Sequence, residues 1–319
     1  MGKKVKIGLV FGGKSGEHEV SIRSAEAIYE YLDKTKYEVE KIKIKKDGSF
    51  DMNKVINCDK VFSIVHGTFG EDGCLQGMLE MLDKPYIGAG VLGSAIGMDK
   101  DVQKRLLMQA GIPVAKFKVI RIQDYREKEI QVKKFPVFVK PANLGSSVGV
   151  SKCKSKSKLK KAIEKAFEYD TKVLIEEYIE GREIEVAGLD GKASLPGEII
   201  PKGKHEFYDY EAKYIDENGA ELRIPAELTK PQITRIQTIA EKVFKVLECE
   251  GMARVDMFLS ASGLIIVNEI NTLPGFTNIS MYPKLWEASG ILFPKLLDKL
   301  IDFALKKQKM KNRLKRSYN

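Results

Sequence analysis

The stretch Gly251–Ser280, GMARVDMFLSASGLIIVNEINTLPGFTNIS, constrains this chain more than any other. Two apolar runs suited to strands, Ala253–Leu259 and Leu264–Asn271, flank the turn signal Ser260-Ala-Ser-Gly263. That pattern predicts a β-hairpin. With the turn centred on Ser262-Gly263, cross-strand partners have residue numbers summing to 525, so Asp256 faces Glu269 and Arg254 faces Asn271. Residues two apart share one face of a strand, so these four side chains converge. Facing carboxylates repel and weaken the ladder. Either the face is solvated and the acidic pair is incidental, or a divalent cation offsets the repulsion. Asp256, Glu269 and Asn271 offer hard oxygen donors, a set suited to Mg2+ held jointly with substrate phosphates.

A chain of 319 residues implies two or three domains. No apolar run approaches the roughly 18 residues of a membrane span, and the opening MGKKVKIGLVFGG reads as a strand entering a turn rather than a secretory leader. Cys58, Cys74, Cys153 and Cys249 are scattered without a CxxC, as in reduced thiols of a cytoplasmic protein. The net charge of +10 invites a nucleic-acid reading, but seven positive residues without an acid follow Ala304, leaving +3 elsewhere. The tail 306–319 reads as a frayed, solvated helix end, and no nucleic-acid partner is expected.

Lys6–Phe11 is a buried strand run leading into Gly12-Gly13-Lys14-Ser15-Gly16 and a helix with Ile22, Ala25, Ile28 and Leu32 at helical spacing. The glycines do not follow G-x-G-x-x-G, and Lys45 and Lys46 follow the next strand where a ribose-binding acid would stand, which argues against a dinucleotide site. Glu17 at the helix start is either a capping carboxylate favoured by the dipole or an anion aimed at a substrate ammonium. Asp59–Val65 is a second inward strand, entering His66-Gly-Thr-Phe-Gly-Glu71-Asp-Gly73. Such a loop at the carboxyl end of a parallel strand is where open α/β sheets place ligands; Glu71 and Asp72 equally suit caps of the helix from Cys74. Lys84–Ile87 reads as a short strand, followed by a helix running through Met98 to Met108. Along it Lys100 and Lys104 are one turn apart, with Lys104 expected on the helix surface.

Pro136–Lys140 is a strand, and Asn143-Leu-Gly-Ser146-Ser147-Val-Gly149 is a small, hydroxylated hairpin tip. Its N–H groups and hydroxyls suit phosphate oxygens, with Lys140 as a point charge beneath. Asp190-Gly191 marks a tight hairpin. Gly203–Leu222 is too polar for a core element and too long for a turn, a lid or a stapled surface loop. Thr229 with Gln232 is a capping box opening a helix behind the acidic hairpin. Gly275 allows a backbone N–H to approach a reacting oxygen.

Several of these segments carry one resemblance. R-x-D followed by N-E-x-N-x-x-P-G resembles the ATP-grasp ligases, and within them the D-alanine–D-alanine ligases. GGKSGEHEVS, HGTFGEDG, V-K-P with G-S-S-V-G, and FYDYEAKY are similar to further motifs of that family, in its order, from about Val5 to about Phe303. The resemblance implies an α/β chain: a Rossmann-like parallel-sheet domain (1–98), then a two-part ATP-grasp fold (99–178 and 179–319) with an ω-loop at 203–222. It implies joining of two D-alanines with ATP and Mg2+ or Mn2+, two ions in all, for peptidoglycan synthesis, in a cytoplasmic homodimer.

By the same resemblance, Glu17 binds the first amino group, Ser146 orients Glu17, and His66 lines the site. Lys100, Lys140, Ser147 and Lys213 meet phosphates, Glu176 the adenine and Glu183 the ribose. Asp256, Glu269 and Asn271 hold metal. Arg254 and the Gly275 N–H form an oxyanion hole, Ser280 and Met281 hold the second carboxylate, and Tyr214 closes the peptide site. Tyr214 with an apolar Met281 favours D-alanine over D-lactate or D-serine. Alternatives are a D-alanine–D-serine or D-alanine–D-lactate ligase, or a catalytically silent nucleotide-binding protein.

Overall fold

The structure is a computed structural model that describes residues 3–125, 130–202 and 219–315. The strands are β1 (Val5–Gly12), β2 (Tyr37–Ile44), β3 (Lys60–Ser63), β4 (Phe117–Arg121), β5 (Val137–Pro141), β6 (Ser151–Cys153), β7 (Lys172–Glu177), β8 (Arg182–Leu189), β9 (Lys192–Ala193), β10 (Gly197–Pro201), β11 (Ala220–Arg223), β12 (Met252–Leu259) and β13 (Ile265–Asn271). The helices are α1 (His18–Tyr31), α2 (Met52–Ile56), α3 (Cys74–Met81), α4 (Val91–Met98), α5 (Lys100–Gln109), α6 (Ile122–Tyr125), α7 (Lys156–Phe167), α8 (Lys230–Val246), α9 (Met281–Ala288) and α10 (Phe293–Lys311).

The chain is mixed α/β. Its N-terminal part holds a parallel sheet in the order β2-β1-β3, whose central β1 is buried on both faces as its unbroken apolar run requires. Two antiparallel sheets follow, β4-β7-β5-β6 and β11-β10-β8-β12-β13, with β9 pairing β8. Between these two sheets lie α5 and the Asn268–Glu269 end of the β12–β13 hairpin: Lys100 N donates to Ala142 O, and Lys104 Nζ to Asn268 O. The parallel sheet and the six-stranded sheet share one core, in which Ile7, Leu9, Ile28 and Phe62 meet Met252, Phe276, Tyr282 and Leu300. The helix α8 packs Ile236, Ala240, Val243 and Phe244 on the inner face of β8 and β12, after the capping box formed by Thr229 and Gln232.

Four expectations change. The single helix through Met98 to Met108 breaks at Asp99: its extended backbone (φ −87°, ψ 100°) ends α4, and its side-chain Oδ1 caps α5 by accepting from the N–H groups of Asp101 and Val102. Lys84–Ile87 forms one parallel bridge, Val61 to Tyr86, rather than a strand. The loop expected to reach Leu222 ends earlier, because Ala220–Arg223 pairs with β10 as an edge strand. The basic tail is not a frayed end from Lys306: α10 continues to Lys311, and Lys307 is buried against Glu250 at 2.5 Å. Lys311 pairs with Glu80.

Gly188 sets how closely α8 approaches β8. A Cβ there would lie 1.9 Å from Cζ of Phe244. Gly188→Ala is expected to lower stability by about 1–3 kcal/mol through overpacking, read as a fall in the urea midpoint with an unchanged slope.

Candidate active site

The β12–β13 ladder pairs Asp256 with Glu269 and Arg254 with Asn271. The route to that pairing differs from the sequence expectation. At the turn end the partners are Leu259–Ile265 and Met257–Val267, a register one residue shorter, and the turn closes between Ser260 and Leu264. An irregularity beyond Met257 leaves Asn268 as the extra residue and restores the expected pairing at the acidic end. Bulges of this kind re-aim side chains beside sites. Here both groups of Asn268 meet lysines: its carbonyl accepts from Lys104 Nζ at 3.1 Å, and its Oδ1 lies 3.5 Å from Lys140 Nζ.

On the other side of β12, Asp256 pairs with Glu185 of β8. Directly opposite residues share a face, so Glu185, Asp256 and Glu269 form a row across three strands. Cations answer the repulsion. Arg254 donates to both oxygens of Asp256, Nε to Oδ1 and Nη2 to Oδ2, each at 2.7 Å. Its Nε also lies 2.9 Å from Glu185 Oε2. Lys100 Nζ lies 3.1 Å from Glu269 Oε2 and donates to Leu144 O at 2.7 Å.

Behind this row sit two more lysines around Glu176. Lys104 Nζ is 3.2 Å and Lys140 Nζ 2.7 Å from its carboxylate. Burial pushes the Glu176 carboxyl up, but the two ammonium groups outweigh it and hold it below the ordinary carboxylate range. Burial lowers the affinity of Lys104 for its proton, and Lys140 adds to that. Lys104 is therefore no helix-surface residue: it is wholly excluded from solvent.

A third wall comes from the parallel sheet. Ser146 Oγ donates to Glu17 Oε1, joining the hairpin tip to the start of α1. Glu17 makes no side-chain cap hydrogen bond, so capping does not account for its position. Its carboxylate crowds Gly67, where a Cβ would meet Oε2 at 2.8 Å and where φ is +76°. Ser146 and Ser147 both hold left-handed backbone, φ 51° and 59°, at a cost of about 1–2 kcal/mol per residue. Ser21 accepts from Gly12 N and donates to Ile64 O, tying β1 to the end of β3. His66 is buried between Glu71 (3.3 Å) and Ser24 (3.3 Å). Burial alone would lower its proton affinity, but Glu71, Glu17 and the Leu273 carbonyl raise it on balance.

The segment after β13 closes the site. Ser24 Oγ also accepts from Phe276 N at 3.3 Å. Ser280 precedes α9 without a side-chain cap hydrogen bond; its Oγ instead accepts from Thr277 N at 3.0 Å. A Cβ on Gly275 would meet that hydroxyl at 2.8 Å. The Met281 side chain is buried in the shared core against Gly197, and Met281 begins α9. Glu183 lies on β8, opposite Phe258. Lys213 and Tyr214 lie outside the described residues.

The family model for the D-ala D-ala ligase C-terminus matches residues 106–302, and that for the N-terminus matches 6–57 and 50–89. The chain belongs to the D-alanine–D-alanine ligase family. It is 47% identical over 363 residues to the D-alanine–D-alanine ligase of Oceanobacillus iheyensis, covering 98% of this chain and 99% of that protein. It is similar to the solved D-alanine–D-alanine ligase of Coxiella burnetii (TM-score 0.86, 37% identity, 98% and 97% of the two chains). The Bacillus anthracis D-alanine–D-alanine ligase complexed with ATP gives a TM-score of 0.83 at 33% identity, over 96% and 99%. The VanG D-Ala:D-Ser ligase of Enterococcus faecalis also gives 0.83, at 34% identity, over 95% and 100%.

Three residues packed among the candidate site residues escaped the sequence reading: Lys104, Glu185 and Asn268. For Glu185 a signal existed, since Glu183 and Glu185 alternate on one strand and therefore share a face. The bulge at Asn268 had none.

His66 supplies a pH signature. Its raised affinity for protons in the fold contributes stability that is complete below the unfolded value of about 6.5 and is lost as pH rises through the higher folded value. The stability gap between wild type and His66→Gln is expected to narrow from mildly acidic to alkaline pH, measured by urea melts across that range.

Proposed function

We propose that this chain joins two molecules of D-alanine into D-alanyl-D-alanine at the expense of ATP, through a D-alanyl phosphate, and so supplies a peptidoglycan precursor. The observation that carries the reading is the convergence of Glu17, Lys100, Lys140, Arg254, Asp256 and Glu269 from three sheets in a chain of this family. A carboxylate oxygen of the first D-alanine attacks the γ-phosphorus of ATP, and ADP leaves. The amine of the second D-alanine then attacks the acyl carbon, loses a proton, and expels phosphate. Glu17, oriented by Ser146, holds the first ammonium, beside His66. Lys100, Lys140, Lys213 and Ser147 neutralise the transferring phosphoryl group. Glu176 and Glu183 border the nucleoside, with Glu176 also fixing Lys140 through their 2.7 Å pair. Arg254 and the Gly275 N–H stabilise the tetrahedral oxyanion, and Ser280 with the Met281 N–H takes the second carboxylate. No side chain forms a covalent bond, so positioning provides the rate. Exclusion of water from the acyl phosphate is assigned to the loop between β10 and β11, which carries Tyr214.

The donor set fits Mg2+ or Mn2+. Asp256 and Glu269 face each other, and Asn271 Oδ1, which accepts from Leu273 N at 3.1 Å, retains a second lone pair. The two carboxylates and the amide would hold the ions jointly with phosphate oxygens. When bound, one or two such ions would offset phosphate charge. The three-part division at 98/99 and 178/179, the cytoplasmic location and the homodimer belong to the same proposal. No helix among the described residues is long and apolar enough to cross a membrane.

The test is Mg2+-dependent phosphate release from ATP with D-alanine, L-alanine, D-serine or D-lactate as acceptor, with the product weighed. Release with D-alanine giving the dipeptide mass is expected; release only with another acceptor overturns the substrate. Glu269→Gln is expected to lower turnover at least a hundredfold while its melting curve stays cooperative. Near-normal turnover in that variant removes Glu269 from the metal set. Tyr214→Phe is expected to raise D-lactate use relative to D-alanine, read as the product ratio in competition.

A further inference from the structure

Both oxygens of Asp256 are engaged by the Arg254 guanidinium, at 2.7 Å each. A cation that binds Asp256 must take at least one of them. The guanidinium then needs another anion, since a half-buried positive charge set beside a metal ion is doubly unfavourable. Glu185 stands ready. It is 2% exposed, lies directly across the ladder from Asp256, and places Oε2 at 2.9 Å from Arg254 Nε. Nε carries a single proton, and in this geometry that proton goes to Asp256 Oδ1. A small rotation of the guanidinium transfers it to Glu185.

We infer that Glu185 is a positioning residue: it receives and holds the Arg254 guanidinium when a divalent cation takes Asp256. The inference rests on the metal role proposed above for Asp256. Glu185 itself touches neither metal nor substrate. It acts by making Asp256 available and by fixing where Arg254 points afterwards. The row Glu185–Asp256–Glu269 is thereby asymmetric. One end, Glu269, is answered by Lys100, which has the Leu144 carbonyl as a second partner. The other end, Glu185, is buried and lies within ion-pair distance of the arginine.

The experiment compares full-length wild type with Glu185→Gln and Glu185→Asp. Binding of the non-hydrolysable analogue adenylyl imidodiphosphate is measured by calorimetry across a Mg2+ titration, alongside kcat and KM. Outer-shell partners commonly change metal affinity by about 10–100-fold. Glu185→Gln is expected to raise the Mg2+ midpoint about tenfold and, at saturating Mg2+, to lower kcat with KM for ATP unchanged. Glu185→Asp, which keeps the charge, is expected to bring the midpoint back within about threefold of wild type. In an Arg254→Met background, Glu185→Gln is expected to leave the midpoint unchanged, because the residue acts through Arg254. A tenfold shift that persists in that background would mean that Glu185 acts only as a nearby negative charge, and overturns the inference. So does a Glu185→Asp midpoint as weak as that of Glu185→Gln. A wild-type midpoint in Glu185→Gln overturns the inference alone. A wild type whose analogue binding ignores Mg2+ overturns the metal reading and this inference together.

Discussion

The buried ion cluster of Lys104, Lys140 and Glu176 is the interaction on which the rest of the site depends. A lysine wholly excluded from solvent is costly, by several kcal/mol, unless it is paired and hydrogen-bonded. Lys104 meets both conditions only if Glu176 of the four-stranded sheet and the Asn268 carbonyl of the six-stranded sheet are in place together. The cluster therefore fixes the two antiparallel sheets relative to one another. Lys140 reaches Glu176 from a neighbouring strand and points at the bulge as well. What aligns the sheets thus also places the Lys140 ammonium group beside the bulge at Asn268.

The parallel sheet is attached by different means. Its apolar face merges with the core around Phe276, Tyr282 and α10, and polar pins sit above that core. Ser146 reaches Glu17, while Ser24 links His66 to the Phe276 N–H. Apolar burial is non-directional and sets proximity. The hydrogen bonds set orientation, so Glu17 faces the hairpin tip rather than capping its own helix. The clamp of Lys307 and Lys311 on Glu250 and Glu80 secures the far end of α10.

Local signals carried much of this. Alternation and turn residues located the two long antiparallel strands at 252–271, the Asp190-Gly191 hairpin with φ 50° and 75°, and the capping box at Thr229. The facing of Asp256 and Glu269 was reached through a turn placed one residue off, and the bulge at Asn268 supplied the compensation. Period-2 reasoning is sound within a ladder, but it cannot see an extra residue that only a third element, Lys104, stabilises. The helix 91–109 was read as continuous because its apolar spacing is continuous; the break at Asp99 is held by the cap hydrogen bonds and by Lys172, which pairs with Asp99 and Asp101.

The sequence by itself determined the class of fold, the family, and which residue types face one another across the acidic hairpin, because strand periodicity and motif spacing are local properties. Tertiary structure alone decided which cation answers which acid. Lys104 finds Glu176 on another element, and Lys311 and Glu80 are 231 positions apart. A lysine at helical spacing reads as solvated, and a basic tail as frayed, until a distant carboxylate makes burial cheaper than exposure. That partner exists only once the sheets have packed.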